Sequence, residues 1–92
     1  MTKVVGIDVS KDSLDVVVMD EHQQTQHIQV GNDAAGHTAL KSWLTKRRAQ
    51  GCAACLEATG RYGEEVAETL HAAGYRVSVV NPARIRGYAD RR

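Results

Sequence analysis

Two acids in this 92-residue chain stand where acids are costly. Asp8 interrupts the β-branched run Val4-Val5-Gly6-Ile7-Asp8-Val9, and Glu57 closes the apolar run Ala53-Ala54-Cys55-Leu56. A carboxylate in a buried central strand is tolerated near the strand end, in an ion pair, or on a metal ion. If the two runs are neighbouring strands, their backbones lie about 4.8 Å apart. Both carboxylates then reach one divalent cation, or share two ions roughly 3.5–4 Å apart. Hard oxygen donors without histidines nearby favour Mg²⁺ or Mn²⁺ over Zn²⁺. Such a site stabilises charge on phosphate oxygens and activates a hydroxyl. The competing reading is structural: Asp8 and Glu57 pair with Lys11 and Arg61 across the loop mouths.

Other reactive side chains point less clearly to chemistry. Cys52 and Cys55 have redox or zinc spacing, but they enter a strand rather than opening a helix, and no second ligand pair is present. They read as a buried or partly buried thiol pair. His22, His27, His37 and His71 are scattered over a turn, a strand and two helices and read as solvated or packed. Lys46-Arg47-Arg48 reads as a solvated helix end favoured by the helix dipole. Arg84, Arg86, Arg91 and Arg92 follow the last strand, whose end borders the proposed site, and suit phosphate contacts. Phenylalanine is absent, so an aromatic platform for stacked bases is weakly supported.

The elements that must position these groups follow from the hydrophobic pattern. Residues 4–9 predict a first strand buried on both faces, and 14–19 a second, antiparallel one after the turn at Ser10–Ser13. Residues 20–24 predict another turn, and the alternation at 26–30 a half-buried edge strand. Asn32 or Asp33 is placed to cap an amphipathic helix with Leu40, Trp43 and Leu44 on its inner face, ending near Gly51. A fourth strand leads into Glu57. Thr59 is placed to cap a second helix with Val66, Leu70 and Ala73 on one face and Gly74 at its end. Residues 76–80 form the fifth strand, closed by Asn81-Pro82. Right-handed crossovers place the fourth strand beside and parallel to the first. The expected fold is α/β, a mixed five-stranded sheet of order 3-2-1-4-5 with only strand 2 antiparallel and helices covering its faces. That arrangement is ribonuclease H-like, and actin-like ATPases share it.

Composition fits one small soluble domain over residues 1–92: 42% hydrophobic, 25% charged, one proline and two cysteines. No apolar run approaches a membrane span and no signal-peptide core opens the chain, so a cytoplasmic setting is expected. The formal charge of +1 hides an asymmetry. Residues 1–36 carry two lysines and six acids, whereas residues 37–92 carry ten basic groups and five acids. An acidic front and a basic back suit nucleic acid meeting metal-binding carboxylates.

Gly6-Ile7-Asp8-Val9-Ser10-Lys11, Leu56-Glu57-Ala58-Thr59-Gly60, Asn81-Pro82 and Tyr88-Ala89 together resemble the N-terminal RuvC-like domain of DEDD transposases. These are bacterial insertion-sequence recombinases related to the pilin-gene invertases. The resemblance implies that Asp8 and Glu57 are the first two of four metal-binding acids. It also implies DNA as substrate, multimeric assembly and, in some members, a guide RNA from the same element. The family's third and fourth acids lie in a Lys-Thr-Asp-x-x-Asp-like segment downstream of these motifs, which residues 1–92 do not contain. The chain is therefore expected to be a truncated catalytic domain, inactive alone. Two other classes remain open. An actin-like sugar kinase or ATPase would want glycine and Ser/Thr after the first aspartate, where Ser10-Lys11-Asp12 stands. A non-catalytic module would self-associate through exposed apolar sheet surface.

Overall fold

The computed structural model describes residues 3–81. Its elements are β1 (Val4–Val9), β2 (Ser13–Met19), β3 (Thr25–Gly31), α1 (Ala34–Lys46), β4 (Ala53–Glu57), α2 (Glu64–Ala72) and β5 (Arg76–Val80). The five strands form one sheet in the order β3-β2-β1-β4-β5. β1 pairs antiparallel with β2 and parallel with β4, β4 pairs parallel with β5, and β2 pairs antiparallel with β3. The expected order and directions are those observed. This is the mixed sheet of a ribonuclease H-like, RuvC-like fold.

Strand alternation places the core on one side only. Val5, Ile7 and Val9 of β1, Leu14, Val16 and Val18 of β2, and Ala54 and Leu56 of β4 are buried. Leu40 and Leu44 of α1 and Val66 and Leu70 of α2 complete the same cluster. Each such aliphatic side chain contributes about 1.5–3 kcal/mol on removal from water. Among the described residues the opposite face is bare. Val4 is 41% and Met19 39% exposed, and Asp8 and Glu57 also lie open. The sequence-based expectation of a first strand buried on both faces is thus corrected among the described residues. Gly6 and Asp8 are the alternate positions of a one-sided strand.

One helix cap is as the sequence predicts, and the other helix ends differ from that reading. Asp33 caps α1, accepting from the Gly36 backbone N–H at 2.7 Å. The helix stops at Lys46 rather than near Gly51, because Arg48 adopts the left-handed conformation (φ 57°). There the Ala49 N–H donates to the Leu44 carbonyl at 3.0 Å and the Arg48 N–H to the Thr45 carbonyl at 3.0 Å. That pattern is a Schellman closure, whose sequence signal is normally glycine. α2 begins at Glu64 behind Gly63, so Thr59 does not cap it, and Ala73 lies exposed beyond its end. Gly63 is where it is because an added Cβ would sit 2.9 Å from Ala58 Cβ.

Candidate functional site

The sheet's register brings the two singled-out acids together. Asp8 lies directly beside Glu57 across the parallel β1–β4 pair, and Asp15 lies directly opposite Asp8 across β1–β2. Partners across neighbouring strands point to the same face. Asp15, Asp8 and Glu57 therefore form a row across the open side near the C-terminal ends of β1 and β4. They line a shallow depression of ≈ 340 Å³ floored by Gly6, Val17 and Cys55. Gly6 keeps that floor low, since its added Cβ would meet Val17 Cγ1 at 3.3 Å.

Neither the Asp8 nor the Glu57 side chain makes a hydrogen bond or ion pair among the described residues. The structural reading in which they pair with Lys11 and Arg61 is thereby corrected: Arg61 Nε reaches Glu64 Oε2 at 3.8 Å on the exposed surface instead. Solvent exposure removes the desolvation cost that made Asp8 look anomalous, and it leaves both carboxylates free to act as ligands. Their donor chemistry suits Mg²⁺ or Mn²⁺, which binds through one or two carboxylates with water and substrate phosphates filling the rest. Among the described residues, no group of three or more His, Cys, Asp or Glu side chains is arranged to enclose an ion.

Asp15 was not singled out from the sequence. Its signal lay in the turn: a hairpin closed by the Ser10 N–H on the Ser13 carbonyl at 2.9 Å forces residue 8 opposite residue 15. Cys55 lines the depression and is exposed, so the expected buried or partly buried pair holds for half-buried Cys52 and is corrected for Cys55; both cysteines are free thiols. Burial raises the Cys52 thiol above its ordinary 9.0, opposed by a backbone hydrogen bond and by the charges of Arg76 and Lys3.

The positive groups gather one loop away. Lys11 and Arg61 line a second hollow of ≈ 280 Å³ together with Asp12, Asn32, Tyr62 and Glu65. Asn32 ties the two loops that carry these cations. Its Nδ2 donates to the carbonyls of Ser10 and Tyr62, each at 2.9 Å, and its own N–H donates to the Asp12 carbonyl at 3.0 Å. His37, the buried polar side chain of the core, places Nε2 2.8 Å from Asn32 Oδ1. Because Nδ2 already donates twice, Oδ1 must accept, and His37 carries its proton on Nε2. Arg84, Arg86, Arg91 and Arg92 lie outside the described residues.

A ribonuclease H-like sheet with adjacent acids at the ends of its first and fourth strands is an architecture that several classes of protein share. Comparison with known proteins narrows it. The DEDD transposase family model, described as transposase, matches residues 5–92, and the chain belongs to that family. The pilin gene-inverting proteins of Moraxella lacunata and Moraxella bovis are each 31% identical over 87 residues, covering 92% of this chain and 27% of the relative. The chain thus spans about a quarter of the length of these curated relatives. Thermus thermophilus RuvC, solved with a Holliday junction substrate, superposes with a TM-score of 0.64 at 15% identity, covering 95% of this chain and 69% of RuvC. YeaZ from Pseudomonas aeruginosa superposes at 0.56 and 14% identity, over 88% of this chain and 44% of YeaZ. These structural likenesses show the fold alone.

Proposed function

We propose that residues 1–92 are the front part of the catalytic domain of a DNA transposase, in which Asp8 and Glu57 hold Mg²⁺ or Mn²⁺ against a scissile phosphodiester. The observation that carries this reading is the register of Asp8 beside Glu57, both open and unpaired, in a chain of the DEDD transposase family. A bound divalent ion supplies charge neutralisation at phosphate oxygens and a more acidic attacking hydroxyl. The chain's own residues do the positioning. The parallel β1–β4 pair holds both carboxylates on rigid strands, and Lys11 and Arg61 offer positive charge for neighbouring phosphates. Asn32 keeps their loops in place. Arg84, Arg86, Arg91 and Arg92 extend this basic contribution along the chain. Family membership stands against the nucleotide-hydrolase alternative.

Only two of the family's four acids lie within residues 1–92, so the isolated chain binds DNA and metal without cutting. Fluorescence anisotropy with duplex DNA tests the binding, and a plasmid-nicking assay in Mg²⁺ tests the inactivity. The expected results are salt-sensitive binding, weakened in Lys11→Gln/Arg61→Gln, and no nicked product. Magnesium-dependent nicking that disappears in Asp8→Ala would overturn the inactivity claim.

A further inference from the structure

A second charged feature lies at the opposite end of the sheet and takes no part in the site just described. Lys3, Lys46, Arg47 and Arg48 converge on a cleft of ≈ 380 Å³, joined by Asp20 and the amides of Gln24 and Gln26. The lone acid is already engaged: Asp20 Oδ1 accepts from the backbone N–H groups of His22 and Gln24, each at 2.9 Å. Two of the cations build the wall. Lys3 Nζ donates to the Arg47 carbonyl at 2.6 Å, offsetting the negative end of α1. Arg47 lies 4.0 Å over the Trp43 ring, bonds Gln26 Oε1, and donates to the Trp43 carbonyl at 3.2 Å. The side chains of Lys46 and Arg48 are exposed and make no hydrogen bond or ion pair among the described residues.

Arg48 carries a further mark. It occupies the left-handed closing position of α1, with φ 57°, where glycine is the unstrained choice. A long cation held there at a conformational cost signals a role for the side chain rather than for the turn. The reading of 46–48 as a solvated helix end holds for Lys46 and Arg48, which are exposed at the end of α1, while Arg47 is half-buried.

We infer that this cleft is a second phosphodiester-binding site, contacting the backbone of nucleic acid remote from the carboxylates. Lys3 precedes Asp8 by five strand residues, roughly 16 Å at about 3.3 Å per residue, so the two sites lie at opposite ends of β1. Phosphate suits the cleft because guanidinium, ammonium and amide groups all donate, and its four cations outnumber the one carboxylate, whose Oδ1 is held by two backbone N–H groups. The inference rests on the proposed DNA-binding function and adds a second footprint to it.

The test measures duplex DNA binding by the 92-residue chain from roughly 50 to 200 mM salt, where each lost phosphate contact lowers the slope of log K against log salt by about 0.9. Arg48→Gly is expected to melt no lower than wild type yet bind roughly 8-fold more weakly near 0.1 M salt, one contact's worth. Adding Lys46→Gln should extend the loss to about 60-fold and the slope change to about 1.8. An unchanged slope and affinity in both variants, with Lys11→Gln/Arg61→Gln still weakening binding, overturns this site and leaves the proposed function standing. Absence of salt-dependent binding by wild type overturns both.

Discussion

Asp8, Asp15 and Glu57 set three like charges side by side on neighbouring strands, and directly opposed like charges destabilise a sheet. Replacing Asp15 by Asn should therefore stabilise the metal-free chain by a few tenths of a kcal/mol to about 1 kcal/mol. A urea titration in EDTA checks this, and the gain should shrink when Mg²⁺ is added, because the cation relieves the same repulsion in wild type. Asn32 behaves oppositely. Asn32→Ala removes a side chain that donates to two loops and leaves buried His37 without its acceptor, a change expected to cost about 1–3 kcal/mol. Hydrogen exchange should accelerate in residues 10–12 and 61–63 before the core strands respond. Uniform acceleration across the sheet would show instead that Asn32 acts on global stability alone.

At the scale of elements, the approach of α1 to β3 depends on a missing side chain. A Cβ on Gly36 would fall 1.8 Å from the Gly31 carbonyl oxygen, so Gly36→Ala must push the helix off the strand. The expected cost is about 1–3 kcal/mol, the range for overpacked sites, measured as a lower thermal midpoint. Strand order, direction and the pairing of Asp8 with Glu57 were legible in sequence because two-residue alternation and crossover handedness leave few arrangements. The ends of the helices were not. Arg48 closes α1 without the glycine that announces such a closure, and Gly63 opens α2 through close packing on Ala58 rather than through a capping side chain. One-sided burial was also missed: Val4-Val5-Gly6-Ile7 is so uniformly apolar or small that its period-two character is hidden, whereas Asp8 and Asp15 mark the open face once the register is known. Lys11 and Arg61 were recognised as cations, but only the fold reveals that Asn32 binds their loops together.

Across the described residues, the carboxylate row lies at one end of β1 and the Lys3–Arg48 cleft at the other. Titration of the fold should be most visible on the alkaline side. Burial raises the Cys52 thiol above 9.0 and the Tyr75 phenol above 10.0, the latter helped by the Cys52 charge. Both protonated forms are favoured in the folded chain, so their stabilisation is complete below the ordinary values and is lost as pH rises through the raised ones. Urea midpoints taken from about pH 8 to about pH 10.5 should therefore fall, and less steeply in Cys52→Ala. Among the described residues no helix is long and apolar enough to cross a membrane. Whether Asp8 and Glu57 together hold a divalent cation is read from Mn²⁺ paramagnetic broadening of backbone amide signals. Broadening is expected to centre on the ends of β1 and β4, to extend to Asp15, and to be abolished in Asp8→Asn/Glu57→Gln. Broadening that instead follows the exposed acids of α2, Glu64, Glu65 and Glu68, and is unchanged in the double variant would contradict it.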